Sequence, residues 1–199
     1  MRDLIRYLGA RAVADYEWRA VVMAHPCSGT TWLVDTLNHL GIPALHELVR
    51  PADPPWRVLV TYRAFGWPQP ADEERIHLVR DPLRVVRSTA ALFGKRPRVA
   101  RDIYAQIVGT GTTATVPPLG ELGPVSLAAW TLAVFNQRAE ARGLSRFRIE
   151  DVAPGWAPPS ARRNPHAGAT PLEWDDIKMC RDLLWTQWRQ YGYPAEQGE

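Results

Sequence analysis

Apolar residues recur at helical spacing over residues 3–17, and a continuous apolar run, Val21, Val22, Met23 and Ala24, follows within 19–25. The first pattern predicts a short amphipathic helix and the second a parallel strand buried on both faces. Trp32, Leu33, Leu37 and Leu40 return to helical spacing over 31–40, where Gly41 and Pro43 supply the stop. Two further strands are expected over 57–62 (Val58, Leu59, Val60) and 75–80 (Ile76, Leu78, Val79), separated by a Pro- and Trp-rich loop over 64–70. Asp81 and Pro82 then open a helix over 83–93, since proline has no amide proton to satisfy in a first turn. Helices over 98–108 and 125–142, the latter closed by Gly143, are joined by a Gly, Thr and Pro loop over 109–123. A short strand over 146–149 and a loop over 153–171 precede a final helix over 172–191, which is expected to bury Trp174, Ile177, Leu184, Trp185 and Trp188.

Strands alternating with helices predict an α/β three-layer sandwich around a central parallel sheet of about 4–5 strands. The 199 residues, 46% hydrophobic and 23% charged, fit a single domain over 1–199. The net charge of +3 suits an anionic ligand, but the basic residues are scattered, which argues against a nucleic-acid partner. Cys27 and Cys180 make no disulfide framework and have no metal-ligand spacing with the five histidines, so no metal is expected and a cytoplasmic setting is the simplest. Arg2, Arg6, Arg11, Asp15 and Glu17 interrupt the first residues, leaving no secretory-signal pattern. No stretch approaches a membrane span, and no membrane partner is expected. The nine tryptophans fit a core filled with large side chains better than an aromatic-lined acceptor cleft.

The chemistry concentrates where the first strand meets the first helix of the strand, loop, helix unit: His25, Pro26, Cys27, Ser28, Gly29, Thr30, Thr31, Trp32. A loop of small residues there aims backbone amides at one point, and the helix N-terminus adds partial positive charge, which makes an anion site. Gly29 permits a close turn, while the hydroxyls of Ser28, Thr30 and Thr31 are further donors. An ordinary capped helix start also uses Ser and Thr. The nucleoside-triphosphate pattern of Gly, four residues, Gly, Lys, Ser or Thr is not present.

The segment instead resembles the phosphosulfate loop of the sulfotransferases that use 3'-phosphoadenosine 5'-phosphosulfate (PAPS), in which Pro, a basic residue, Ser, Gly, Thr, Thr and Trp follow one another. Pro26, Ser28, Gly29, Thr30, Thr31 and Trp32 match, and Cys27 occupies the basic position. The resemblance implies a P-loop-like loop that binds the 5'-phosphosulfate, with Trp32 stacking on adenine. In the family the basic residue stabilises the departing phosphate, so His25, Arg63, Arg162 and Arg163 are considered as cations that substitute for it. Arg80 and Ser88 match the family's 3'-phosphate segment, the Ser following the Arg after eight residues. Taken by itself, Arg80 beside Asp81 is also a common ion pair. Arg162 and Arg163 fall where the family places a basic loop over the 3'-phosphate. Phe147, Arg148, Ile149, Glu150 and Asp151 resemble a further family strand end, and the likeness extends from Val21 to Tyr193.

These features imply sulfuryl transfer to a hydroxyl or amine of a small-molecule or glycan acceptor, with PAPS as co-substrate. The base expected after the first helix is Glu47, with His46 second; a solvent-facing polar pair is the plainer reading of both. The strand over 57–62 ends in Thr61, Tyr62 and Arg63, without the histidine that one family branch uses there. A non-catalytic PAPS or bisphosphate binder and a P-loop kinase with a degenerate loop are the alternatives.

Overall fold

A computed structural model describes residues 3–15, 18–46, 56–63, 73–109, 115–152 and 172–193. It is α/β, with an all-parallel five-stranded sheet and flanking helices, consistent with the three-layer class expected. Two compact units share the chain: Met1–Arg80 with Gly143–Arg163, and Asp81–Arg142 with Asn164–Glu199.

The first unit carries the sheet. In chain order its elements are α1 (Leu4–Ala14), β1 (Arg19–Ala24), α2 (Thr30–His39), β2 (Ala44–His46), β3 (Val58–Thr61), β4 (Glu73–Val79) and, after the second unit's first segment, β5 (Ser145–Arg148). The strand order is β2-β3-β1-β4-β5, which puts β1 in the middle. Its register sets Val22 beside Val60 and Ile76, and Ala24 beside Leu78. Ala20, Val21, Val22, Met23 and Ala24 are all fully buried, as the uninterrupted apolar run requires of a central parallel strand. Leu4 and Leu8 of α1 and Leu33 and Leu37 of α2 share a core with Val22, Val58, Val60, Ile76 and Leu78. The Asp3 carboxylate caps α1 by accepting from the Ile5 and Arg6 amides, and the helix stops at Ala14, short of the end expected at 17.

Strand β2 has only three residues, too few to show a period, and is an element the sequence pattern did not reveal. It is fixed by Asn38 of α2, whose side-chain nitrogen donates to the Ala44 carbonyl and whose oxygen accepts from the Ala44 amide, each at 2.9 Å. That clamp, just before His46, anchors the segment leading to the candidate site.

The second unit is helical: α3 (Pro82–Lys95), α4 (Pro97–Gly109), α5 (Pro124–Ala141) and α6 (Arg181–Gln190), with 3-10 turns at Leu119–Glu121 and Trp174–Cys180. The single helix expected over 172–191 is thus two pieces, because Ile177 leaves the helical region at φ −112° and ψ 33°. The break turns Trp174 edge-on to both Trp185 and Trp188, with ring centroids 5.0 and 5.4 Å away. Helix α5 is buried nearly all round, including Asn136, which donates to Gln187; Gln187 in turn donates to the Ala133 carbonyl. These bonds satisfy the amides that a dry interior would penalise. Trp18, Trp56, Trp130, Trp174 and Trp188 are each at most 4% exposed, so these tryptophans serve the cores. Among the described residues no helix is long and apolar enough to cross a membrane.

Candidate functional site

Strand β1 runs out at Ala24, and residues 25–29 turn the chain into α2. The Ser28 amide donates to the His25 carbonyl at 3.1 Å, closing the turn. Two residues in it have left-handed backbone, Cys27 at φ 66° and Gly29 at φ 89°; Cys27 is the one non-glycine residue with positive φ among the described residues. Gly29 occupies the cap position of α2 and brings no side chain to it, which leaves the first amides of the helix for an external acceptor. Ser28 is 1% exposed, and its hydroxyl makes no hydrogen bond among the described residues.

Gly29 is needed for two reasons. Its φ disfavours any L side chain, and a Cβ would sit 3.1 Å from Cγ1 of Ile149. Ile149 reaches it from the 3-10 turn Ile149–Asp151, which replaces the last residue of the strand expected over 146–149. Gly29→Val is expected to abolish measurable binding of adenosine 3',5'-bisphosphate while the far-UV circular dichroism stays that of the native fold. Wild-type affinity in that variant, by calorimetry, would separate the loop from the ligand.

The charge at the loop comes from an unexpected place. His25 is 1% exposed and burial pushes its pKa down to about 3. Its Nδ1 lies 3.1 Å from the Pro26 carbonyl, an obligate acceptor, so Nδ1 carries the proton and the ring is neutral at pH 7. It is therefore no substitute for the missing basic residue. The Arg63 guanidinium donates to the Tyr62 hydroxyl at 2.7 Å and lies 4.8 Å from the centre of its ring. Arg162 and Arg163 lie outside the described residues. Arg80, just past β4, donates from Nη1 to the carbonyl of Cys27 itself at 3.0 Å. It reaches there because β4 pairs directly with β1, a neighbour relation that strand order sets and residue spacing does not reveal.

His46, at the end of β2, forms a 2.8 Å hydrogen bond between Nε2 and the Thr30 hydroxyl, in the first turn of α2. The protein atoms packed on one side of the ring lower its pKa below the usual histidine value by desolvation, although the residue as a whole is exposed, against an opposing, raising effect of Asp35. Glu47, expected as the base, lies outside the described residues. Cys27 is half-buried and is not in a disulfide. Thr31 and Trp32 are half-buried, and Trp32 packs on the core of the first unit. Ser88 lies in α3 of the second unit and is 1% exposed. Asp81 caps α3 through the Arg84 amide and pairs with the Arg84 guanidinium at 3.4 Å.

The structure thus brings Cys27, Ser28, Gly29, Thr30, Arg80 and His46 together at the carboxyl ends of β1, β2 and β4, where open α/β sheets bind ligands. No protein-family model matches the chain, and no curated protein or solved structure matches it significantly.

Proposed function

We propose that this chain binds PAPS on the loop 25–31 and transfers its sulfuryl group to a hydroxyl or amine of a small-molecule or glycan acceptor. The observation that carries the reading is the turn itself, with Cys27 and Gly29 in left-handed backbone and the buried Ser28 between them, at a start of α2 that has no side-chain cap. An ion with several acceptor oxygens meets the Ser28 hydroxyl and the α2 amides together, and the order of residues 26–32 favours a phosphosulfate over a triphosphate.

The transfer needs an acceptor oxygen or nitrogen to attack sulfur while the bond from sulfur to the bridging oxygen breaks. The bridging pair of electrons leaves with adenosine 3',5'-bisphosphate, and the acceptor proton passes to a base, which the sequence assigns to Glu47. Cys27 offers no positive charge to the leaving phosphate. In this reading Arg80 supplies it, since its guanidinium is hydrogen-bonded to the loop at that residue. The sequence also assigns Arg80 and Ser88 to the 3'-phosphate.

Cys27 favours a second reading, a binder that holds the nucleotide without transfer. Calorimetry with adenosine 3',5'-bisphosphate, then labelled PAPS with phenols, alcohols, amines and glycans, tests both. The expected result is saturable bisphosphate binding in preference to magnesium-ATP, with label appearing in one acceptor class. Binding without transfer, in wild type and in Cys27→Lys, would leave the binder. No binding at millimolar ligand would sink both, and preference for magnesium-ATP would point to a kinase.

A further inference from the structure

We propose that His46 is a positioning residue that sets which way the Thr30 hydroxyl points, and so couples protonation of its imidazole to anion binding at the loop. The inference rests on the anion site proposed above, and differs from the sequence expectation that His46 serves as a base.

The argument starts from the 2.8 Å contact between His46 Nε2 and Thr30 Oγ1. A hydroxyl has one proton to donate and lone pairs to accept with. If Nε2 is unprotonated, it accepts a hydrogen bond from the Thr30 hydroxyl, which then offers a bound anion only lone pairs. If Nε2 carries a proton, Thr30 must accept from it, and the hydroxyl proton turns outward. Neutral histidine can adopt either arrangement by changing tautomer; the imidazolium permits only the second. Protonation therefore fixes Thr30 as a donor to the anion and adds a positive charge behind it.

The parts are held well enough for this to matter. Thr30 is 5% exposed and lies in the first turn of α2, next to the uncapped amides and the buried residue Ser28. His46 is held by the clamp of Asn38 on Ala44 and by β2 pairing with β3. Helix α2 carries two titratable side chains, Asp35, whose charge acts on His46, and His39 in the last turn. Strand β3 carries none, and its register partner for His46 is Val60. Asp35 favours the imidazolium while desolvation of the ring disfavours it, and desolvation wins, so the free protein titrates His46 below the usual histidine pKa.

The sign follows from linkage. An anion that prefers the protonated form must raise the His46 pKa when it binds, by the same factor that protonation strengthens binding. Affinity is greatest at low pH and falls as pH rises through the His46 pKa of the complex. A charge-assisted hydrogen bond supports a change of about tenfold.

The test is calorimetry of adenosine 3',5'-bisphosphate between pH 5 and pH 8, with wild type, His46→Gln and Thr30→Val. The phosphates of the ligand titrate in the same range, near pH 6, but identically for every variant, so the readout is the difference between proteins. Gln can donate an amide proton to Thr30 at every pH. His46→Gln is expected to lose about a tenfold share of the wild-type pH dependence, retaining the tighter binding into the alkaline range. Thr30→Val should bind more weakly with the same flattened profile. NMR titration of the His46 ring should show its pKa rising on saturation with bisphosphate. Equal pH profiles for wild type and His46→Gln, or a His46 pKa unmoved by ligand, would overturn the coupling and leave the nucleotide site standing. Absence of binding in all three proteins would overturn both.

Discussion

Arg80→Met is expected to lower kcat/KM for sulfuryl transfer by about 100- to 1000-fold, the usual effect of removing one well-placed donor from developing negative charge. The reason lies in what surrounds the Cys27 position. The thiol has no positive charge to offer, His25 is held neutral by burial, and Arg63 is engaged with Tyr62, whereas the Arg80 guanidinium is bound to the loop at 3.0 Å. Single-turnover rates with labelled donor, measured beside bisphosphate affinity, separate its two possible duties. A fall in the rate constant at saturating donor places Arg80 on the leaving phosphate. A loss confined to affinity would place it on the 3'-phosphate, and an unchanged kcat/KM would remove it from the site. Arg80→Lys should recover only part of the rate, because an ammonium keeps the charge without the forked geometry.

The largest expected effect on stability is at Trp188. It is 1% exposed, stands edge-on to Trp174 with centroids 5.4 Å apart, and lies 4.7 Å from the ring centre of Tyr193. Truncation leaves a cavity that rigid aromatic neighbours cannot fill, so Trp188→Ala should cost about 3–5 kcal/mol, a large part of a stability of roughly 5–15 kcal/mol. Urea unfolding followed by far-UV circular dichroism should show a lower midpoint with an unchanged slope. Trp188→Phe keeps most of the buried area and should lose much less. A midpoint for Trp188→Ala equal to that of wild type would show that the Trp174–Trp188–Tyr193 packing contributes little.

What was legible in the chain depended on the range over which each cause acts. Val21 to Ala24 and Val58 to Val60 announced buried strands because a parallel strand covered on both faces has no polar alternation to confuse with anything else. The turn at 27–29 was legible because its glycine, small residues and hydroxyls have local reasons to be there. Residues 44–46 were not, since three residues carry no period and their clamp is a side chain six positions earlier, Asn38. The break at Ile177 was hidden because Trp174, Leu184 and Trp188 keep an apolar face across it. At the site, Ser28, Gly29 and Thr30 could be picked out from type and spacing. The approach of Arg80 to Cys27 and of Ile149 to Gly29 could not, because both arise from strands that meet only when the sheet is assembled.

That assembly bears on how the chain is made. Strand β4 pairs with β5, Ile76 beside Ser145 and Val79 beside Arg148, although the whole run of α3, α4 and α5 separates them in sequence. A ribosome delivering residues in order therefore releases β1 to β4 long before the partner of β4 exists. Until residue 148 has emerged, one side of β4 offers unpaired amides and carbonyls to any passing strand. The charged start of that strand, Glu73, Glu74 and Arg75, is suited to discouraging such encounters during the wait.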